Sequence, residues 1–128
     1  MFIIDQRSST PIYQQLVQEI KEHILRGLLQ PGDKLPSVRE LSAQLTINPN
    51  TIQKAYQELE RQKVTETLRG RGTFVSSNYK PDRDEEKMQL ITEELKKIIV
   101  EAHYLGLNEE KIVAVVKEIC TELQAKEG

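Results

Sequence analysis

Between Lys34 and Arg71 the chain carries side chains whose chemistry suits the recognition of a charged polymer. Arg39 offers a planar fork of donors that fits a phosphate or the edge of a base. Asn48, Asn50 and Gln53 bring amides, those of Asn and Gln being able to pair bidentately with adenine, while Lys54 suits a phosphate or a guanine and Thr51 adds a hydroxyl. Farther on, Arg69-Gly70-Arg71 sets two guanidiniums around a residue without a side chain, so the backbone at Gly70 can come close to a sugar-phosphate chain while the two arginine side chains supply positive charge. Lys34 and Ser37 add a cation and a hydroxyl just ahead of Arg39.

Chemistry of bond breaking is not indicated. There is no phosphate-cradling loop and no Ser/His/Asp set at workable spacing, and Glu85-Glu86 reads as an acidic helix start favoured by the macrodipole. One cysteine and two separated histidines, His23 and His103, cannot build a zinc cluster, so no metal and no cofactor is expected. Cys120 allows no intrachain disulfide, agrees with a reducing compartment, and falls in an apolar pattern that predicts a packed thiol.

The residues named first need elements to hold them. Phe2–Ile4 reads as a short strand, and Ser8-Ser9-Thr10-Pro11 as a cap followed by a proline at the first helical position. Ile12, Leu16, Ile20 and Ile24 then recur every four residues in an amphipathic helix ending near Gly27. Two prolines and a glycine make 30–36 a loop. Ser37-Val38-Arg39-Glu40 is a capping-box pattern opening a short second helix through Leu41 and Leu45. Asn48 caps, and Pro49 begins, a third helix with Ile52, Ala55, Tyr56 and Leu59 inward, leaving Asn50, Thr51, Gln53 and Lys54 facing elsewhere. Two strands, 64–68 and 73–75, flank the turn at Arg69–Gly72 in a hairpin with a basic tip. Tyr56 and Phe74 read as core residues rather than stacking platforms.

This order of elements is that of a winged helix-turn-helix. The close turn between the second and third helices wants a small residue before it and an apolar one after it, places held by Ser42 and Ile52, with Thr46 where a glycine is commonly found, a position that is strained if its φ is positive. Leu35-Pro36-Ser37-Val38-Arg39-Glu40-Leu41, Asn50-Thr51-Ile52, Ala55-Tyr56-Gln57-Glu58-Leu59-Glu60 and Gly70-Arg71-Gly72-Thr73-Phe74-Val75 together resemble the DNA-binding domain of GntR-family transcriptional regulators. Pro11-Ile12-Tyr13-Gln14-Gln15-Leu16 and Gly27-Leu28-Leu29-Gln30-Pro31-Gly32 match the family's first helix and its exit, so the resemblance spans residues 10–76. The short tail and Ile47-Asn48-Pro49-Asn50-Thr51 resemble the YtrA-type branch. The chain departs from the family pattern at Lys63, where a glycine usually ends the recognition helix, and at Thr65, usually aliphatic.

The resemblance implies a homodimeric repressor of a two-fold symmetric double-stranded DNA operator, with the third helix in the major groove and the wing on the backbone or minor groove. Lys34, Ser37, Arg39, Asn48, Asn50, Thr51, Gln53, Lys54, Arg69, Gly70 and Arg71 are the expected DNA-binding positions. Arg39 alone would suit a solvated helix face; its arrival with Ser37 and Glu40 at a helix start beside the turn points to function. The YtrA-type likeness implies, by analogy, control of neighbouring transporter genes. A winged helix serving as an RNA- or protein-interaction module is the competing expectation.

Residues 76–84 turn polar and contain Pro81, which places a boundary near Asn78: a winged helix-turn-helix over 1–77 and a helical dimerisation domain over 78–128. In the second part Met88, Ile91, Leu95, Ile98, Ala102 and Leu105 follow a coiled-coil-like spacing up to Gly106. Asn108 then caps a helix with Ile112, Val113, Val116, Ile119 and Leu123 inward, an expected antiparallel hairpin. Two helices of this length bury too little surface to stand alone, so the stripe is expected to pack on a second copy. Its aliphatic character favours a pure interface over an effector pocket, and no small-molecule effector is identifiable from it.

The expected fold class is therefore mainly α with a small β-hairpin. With 128 residues, 38% hydrophobic and 30% charged, the chain excludes a large multidomain enzyme and a disordered protein. Its start lacks the basic and apolar regions of a signal peptide and no apolar run spans a bilayer, so a cytoplasmic location is expected. The net charge of −2 argues against nucleic acid only as an average. Residues 1–79 hold 10 basic and 8 acidic side chains, whereas 80–128 hold 8 and 12. The acidity belongs to the tail.

Overall fold

The computed structural model describes residues 2–77 and 85–124. These fall into two compact units, divided between the wing and the tail helices. The first comprises α1 (Ile12–Leu25), α2 (Val38–Leu45), α3 (Pro49–Arg61), β1 (Thr65–Leu68) and β2 (Gly72–Val75); the second comprises α4 (Glu85–Tyr104) and α5 (Glu109–Gln124).

In the first unit α1 and α2 both pack on α3, whose far end joins β1. The whole inward face expected of α3, Ile52, Ala55, Tyr56 and Leu59, is buried, together with Leu16, Val17 and Ile20 of α1 and Leu41 of α2. Ile12 and Ile24 flank this core half-buried. β1 and β2 pair antiparallel in the register Thr65↔Val75 through Leu68↔Gly72.

The chain start differs from the sequence expectation. Phe2–Ile4 forms no strand; instead the Phe2 side chain is buried in the core, edge-on to the His23 ring at 4.8 Å between centroids. A side-chain amide takes the place of a sheet neighbour. The Asp5 N–H donates to Gln15 Oε1 at 2.8 Å, and Gln15 Nε2 donates to the carbonyls of Asp5 and Thr10 at 2.9 and 2.8 Å. Pro11 is the cap position of α1 rather than its first residue: its ψ of 144° is extended, while its carbonyl accepts from the Gln14 and Gln15 N–H groups at 3.1 Å.

The loop between α1 and α2 also does more than turn. Gly32 N–H donates to Val75 O, Val75 N–H to Asp33 O and Leu35 N–H to Thr73 O, at 2.9, 2.8 and 2.9 Å. Residues 32–35 thereby lie along β2 as a third edge of the wing, with Lys34 bridged to Phe74.

Among the described residues, two other than glycine adopt a left-handed backbone, Thr46 (φ 55°) and Lys63 (φ 63°). Thr46 makes the helix-turn-helix turn, closed by the Ser42 hydroxyl donating to the Ile47 carbonyl. Lys63 ends α3: its N–H donates to Glu60 O and that of Val64 to Leu59 O, both at 2.9 Å, the paired bonds of a Schellman stop. This is the place where glycine would carry no steric cost.

In the second unit Asn108 caps α5, its Oδ1 accepting from the Lys111 N–H at 3.0 Å. The helices stand where the apolar spacing puts them. α4 and α5 touch little, and Met88, Ile91, Leu95, Ile98, Leu105, Val113, Val116 and Ile119 remain exposed, Ile98 at 59%. Ala102, Ile112 and Leu123 are half-covered. Leu90, Ile99, Val100 and Val115 widen this surface beyond the expected stripe. Cys120, expected to be packed, is exposed like the aliphatic side chains of its stripe. No helix among the described residues is long and apolar enough to cross a membrane.

Candidate nucleic-acid interface

The site is built from the starts of α2 and α3 and from the wing. At α2 the capping box is complete: Ser37 Oγ accepts from the Glu40 N–H at 3.0 Å, and Glu40 Oε1 accepts from the Ser37 N–H at 3.1 Å. That backbone bond, then the bond to the Ser37 side chain, holds the Glu40 carboxyl below its usual pKa. The cap fixes where α2 begins, so Arg39 leaves from a defined second helical residue and is exposed. Ser37, one of the expected DNA contacts, accepts from the Glu40 N–H through its hydroxyl oxygen and shares its hydroxyl proton with the Glu40 carboxylate, so the cap occupies both of its roles.

A second tie was not foreseen. Tyr56, buried on α3, donates its hydroxyl to the Pro36 carbonyl, the residue directly before the cap. Burial pushes the phenol pKa well up, so it remains a donor. A tyrosine where a phenylalanine would fill the same core space is the one sequence signal for this bond.

At α3 the Asn48 Oδ1 accepts from the Asn50 N–H at 2.8 Å, with Pro49 at the first helical position. Asn48 therefore positions the helix with its oxygen, leaving its amide nitrogen for outward contact. Asn50 and Gln53 are exposed, Asn50 on the side opposite the buried face, while Thr51 is half-buried at the edge of that face, one turn before Ala55. Lys54 is not extended into solvent: its Nζ sits over the Tyr13 ring of α1, 4.0 Å from the centroid.

At the wing Arg69, Gly70 and Arg71 are exposed around the turn, which Arg71 N–H closes on Leu68 O at 2.9 Å. Gly70 has φ +79°, and open space surrounds the place where a Cβ would be. Lys34 comes to the wing through the third edge. Its stem crosses Gly72 so closely that a Cβ there would lie 2.9 Å from Lys34 Cε. Leu68, exposed beside Arg69, was not singled out from the sequence; its cross-strand neighbour is Gly72, which has nothing to cover it.

Among the described residues no group of His, Cys, Asp and Glu could hold a metal ion. The arrangement is one of donors and cations on a rigid helical frame, suited to hydrogen bonding with an anionic polymer.

The comparisons with known proteins agree with this geometry. Residues 12–75 match the family described as bacterial regulatory proteins, gntR family. The HTH-type transcriptional repressor YtrA of Bacillus subtilis (strain 168) is 53% identical, over 97% of this chain and 95% of its own. A crystal structure described as a transcriptional antiterminator from Listeria monocytogenes EGD-e is similar with a TM-score of 0.90 at 40% identity, covering 100% of this chain and 96% of that one. The AraR DNA-binding domain in complex with operator ORX1 is similar at 32% identity with a TM-score of 0.53, over 59% of this chain and 95% of that one. An exposed recognition helix, a capped α2 and a basic wing, joined to this likeness over nearly the whole length, make the chain a member of the GntR family of bacterial regulatory proteins, in its YtrA-type branch.

Proposed function

We propose that the chain is a homodimeric transcriptional repressor that binds a two-fold symmetric DNA operator, with α3 in the major groove and the wing on the backbone or minor groove. The observation that carries this reading is α3 itself: a helix buried along Ile52, Ala55, Tyr56 and Leu59 that presents Asn50 and Gln53 outward from its first turns, with Thr51 half-buried beside them. The likeness to a named repressor and to a domain bound to its operator supports the same role. Asn50 and Gln53 read bases, while Arg39, Lys34, Arg69 and Arg71 meet phosphates or base edges.

The second half of the proposal is the dimer. The uncovered aliphatic surface of α4 and α5 supports it, because a solvent-exposed apolar face of this extent on a short helical unit is stable only when buried against another. A second copy brings two reading helices to two half-sites.

The test is a salt titration of binding to fragments selected from genomic DNA. Lys34, Arg39, Lys54, Arg69 and Arg71 supply five cations per subunit. If about half meet phosphates in a dimer, log affinity falls with log salt at a slope of about −5. Equal affinity for all duplexes, or preference for RNA of matched length, overturns the operator reading. A light-scattering mass of one chain at micromolar concentration overturns the dimer.

A further inference from the structure

We propose that Tyr13 is a positioning residue for DNA binding: its ring holds the Lys54 ammonium at the flank of α3, where it meets a phosphate instead of a base edge. This inference rests on the operator-binding role proposed above. The Lys54 Nζ lies 4.0 Å from the centroid of Tyr13, inside the range in which the negative face of an aromatic ring attracts a cation. The ring is a fixed platform. Tyr13 is half-buried against the core, and Gln14 Nε2 donates to its hydroxyl at 3.1 Å. α1 packs directly on α3, so the platform keeps its place relative to the recognition helix.

Helical geometry then decides what Lys54 can reach. Four residues after Asn50, it lies about 40° around the helix from it, whereas Gln53 lies about 60° to the other side. The ring draws the ammonium onto α1 and off the face shared by Asn50 and Gln53. An ammonium resting on a ring still directs donors outward. A free lysine stem would lose rotamer entropy on contacting DNA, and holding it in advance removes part of that cost. The contact is therefore preformed and independent of sequence.

The full-length chain is titrated with its operator and with a scrambled duplex of equal length across a salt series. Wild type is expected to prefer the operator; if it binds neither duplex, both the operator reading and this inference fall. Given operator binding, Lys54→Gln and Tyr13→Leu are each expected to weaken binding to both duplexes alike, by about fivefold at low salt, and to make the salt slope shallower by about two per dimer. The double variant is expected to bind no more weakly than either single one. Tyr13→Phe, which keeps the ring, is expected to retain the wild-type slope. A Tyr13→Leu protein with a lowered melting temperature but an unchanged salt slope would show a structural staple only and overturn the inference, as would a Lys54→Gln loss confined to the operator.

Discussion

The Tyr56 hydroxyl donates to the Pro36 carbonyl at 2.6 Å, tying the middle of α3 to the residue that precedes the cap of α2. The two helices of the reading motif are thus joined at the point where Arg39 departs. Tyr56→Phe keeps the packing and orphans a carbonyl, so a loss of about 1 kcal/mol in urea denaturation is expected, with operator affinity reduced beyond what nonspecific binding loses. An unchanged midpoint and affinity would falsify a role for this bond.

Thr65 is buried at the start of β1, and its Oγ1 has no hydrogen-bond partner. Replacing the hydroxyl by a methyl relieves that desolvation without changing shape. Thr65→Val is expected to stabilise the protein by about 1 kcal/mol, read as a higher urea midpoint at constant m-value. A lower midpoint would mean that the hydroxyl serves an unseen partner.

Lys63 ends α3 in a left-handed conformation that a Cβ disfavours. Lys63→Gly is expected to gain about 0.5–1 kcal/mol, the steric relief exceeding the extra entropy of the unfolded chain. Lys63→Ala keeps the Cβ and should leave the melting temperature near wild type; a gain as large as that of glycine would point to the charge instead.

Acid stability should carry the mark of Glu58. Hydrogen bonds from Arg61 and then Gln62 hold its pKa down to about 2 from an ordinary 4.5, and Gln62 in turn accepts from Lys21 of α1 at 2.9 Å. A folded-state pKa below the unfolded one contributes stability above about 4.5 that is lost as pH falls toward 2. Glu58→Gln is therefore expected to lower stability at neutral pH and to flatten the decline across that window. Curves of equal steepness for both proteins would count against it.

Ile98, exposed on α4, lies on the surface proposed to pack on a second copy. Ile98→Asp is expected to give a chain of monomeric mass by light scattering and operator binding weaker by tenfold or more, a loss of about 1.4 kcal/mol. A dimer of undiminished affinity would place the interface elsewhere.

What the sequence made legible was local. The Ser37–Glu40 box, the Asn48-Pro49 start and the inward face of α3 each depend on residues a few positions apart, and each stands in the structure as read. What it hid were meetings between distant segments. Nothing near residues 32–35 announces that Thr73 and Val75 will pair with them, and the prolines there argued for a plain loop. The Phe2 arm looked like a strand because apolar β-formers do, yet its backbone partner is the Gln15 amide. Among the candidate contacts, the cap roles of Ser37 and Asn48 could be inferred, whereas the capture of Lys54 by Tyr13 joins positions from different helices.

The sparse contact between α4 and α5 has a thermodynamic consequence. Neither helix covers the aliphatic side chains of the other, so in the proposed dimer the tail's order would be supplied by association and would follow mass action. Its melting temperature should then climb with protein concentration, while the first unit, closed around its own core, melts at a value independent of dilution. Under that proposal a cell that makes few copies would hold a reading head that is folded and yet unpaired, and abundance itself would be a control on occupancy.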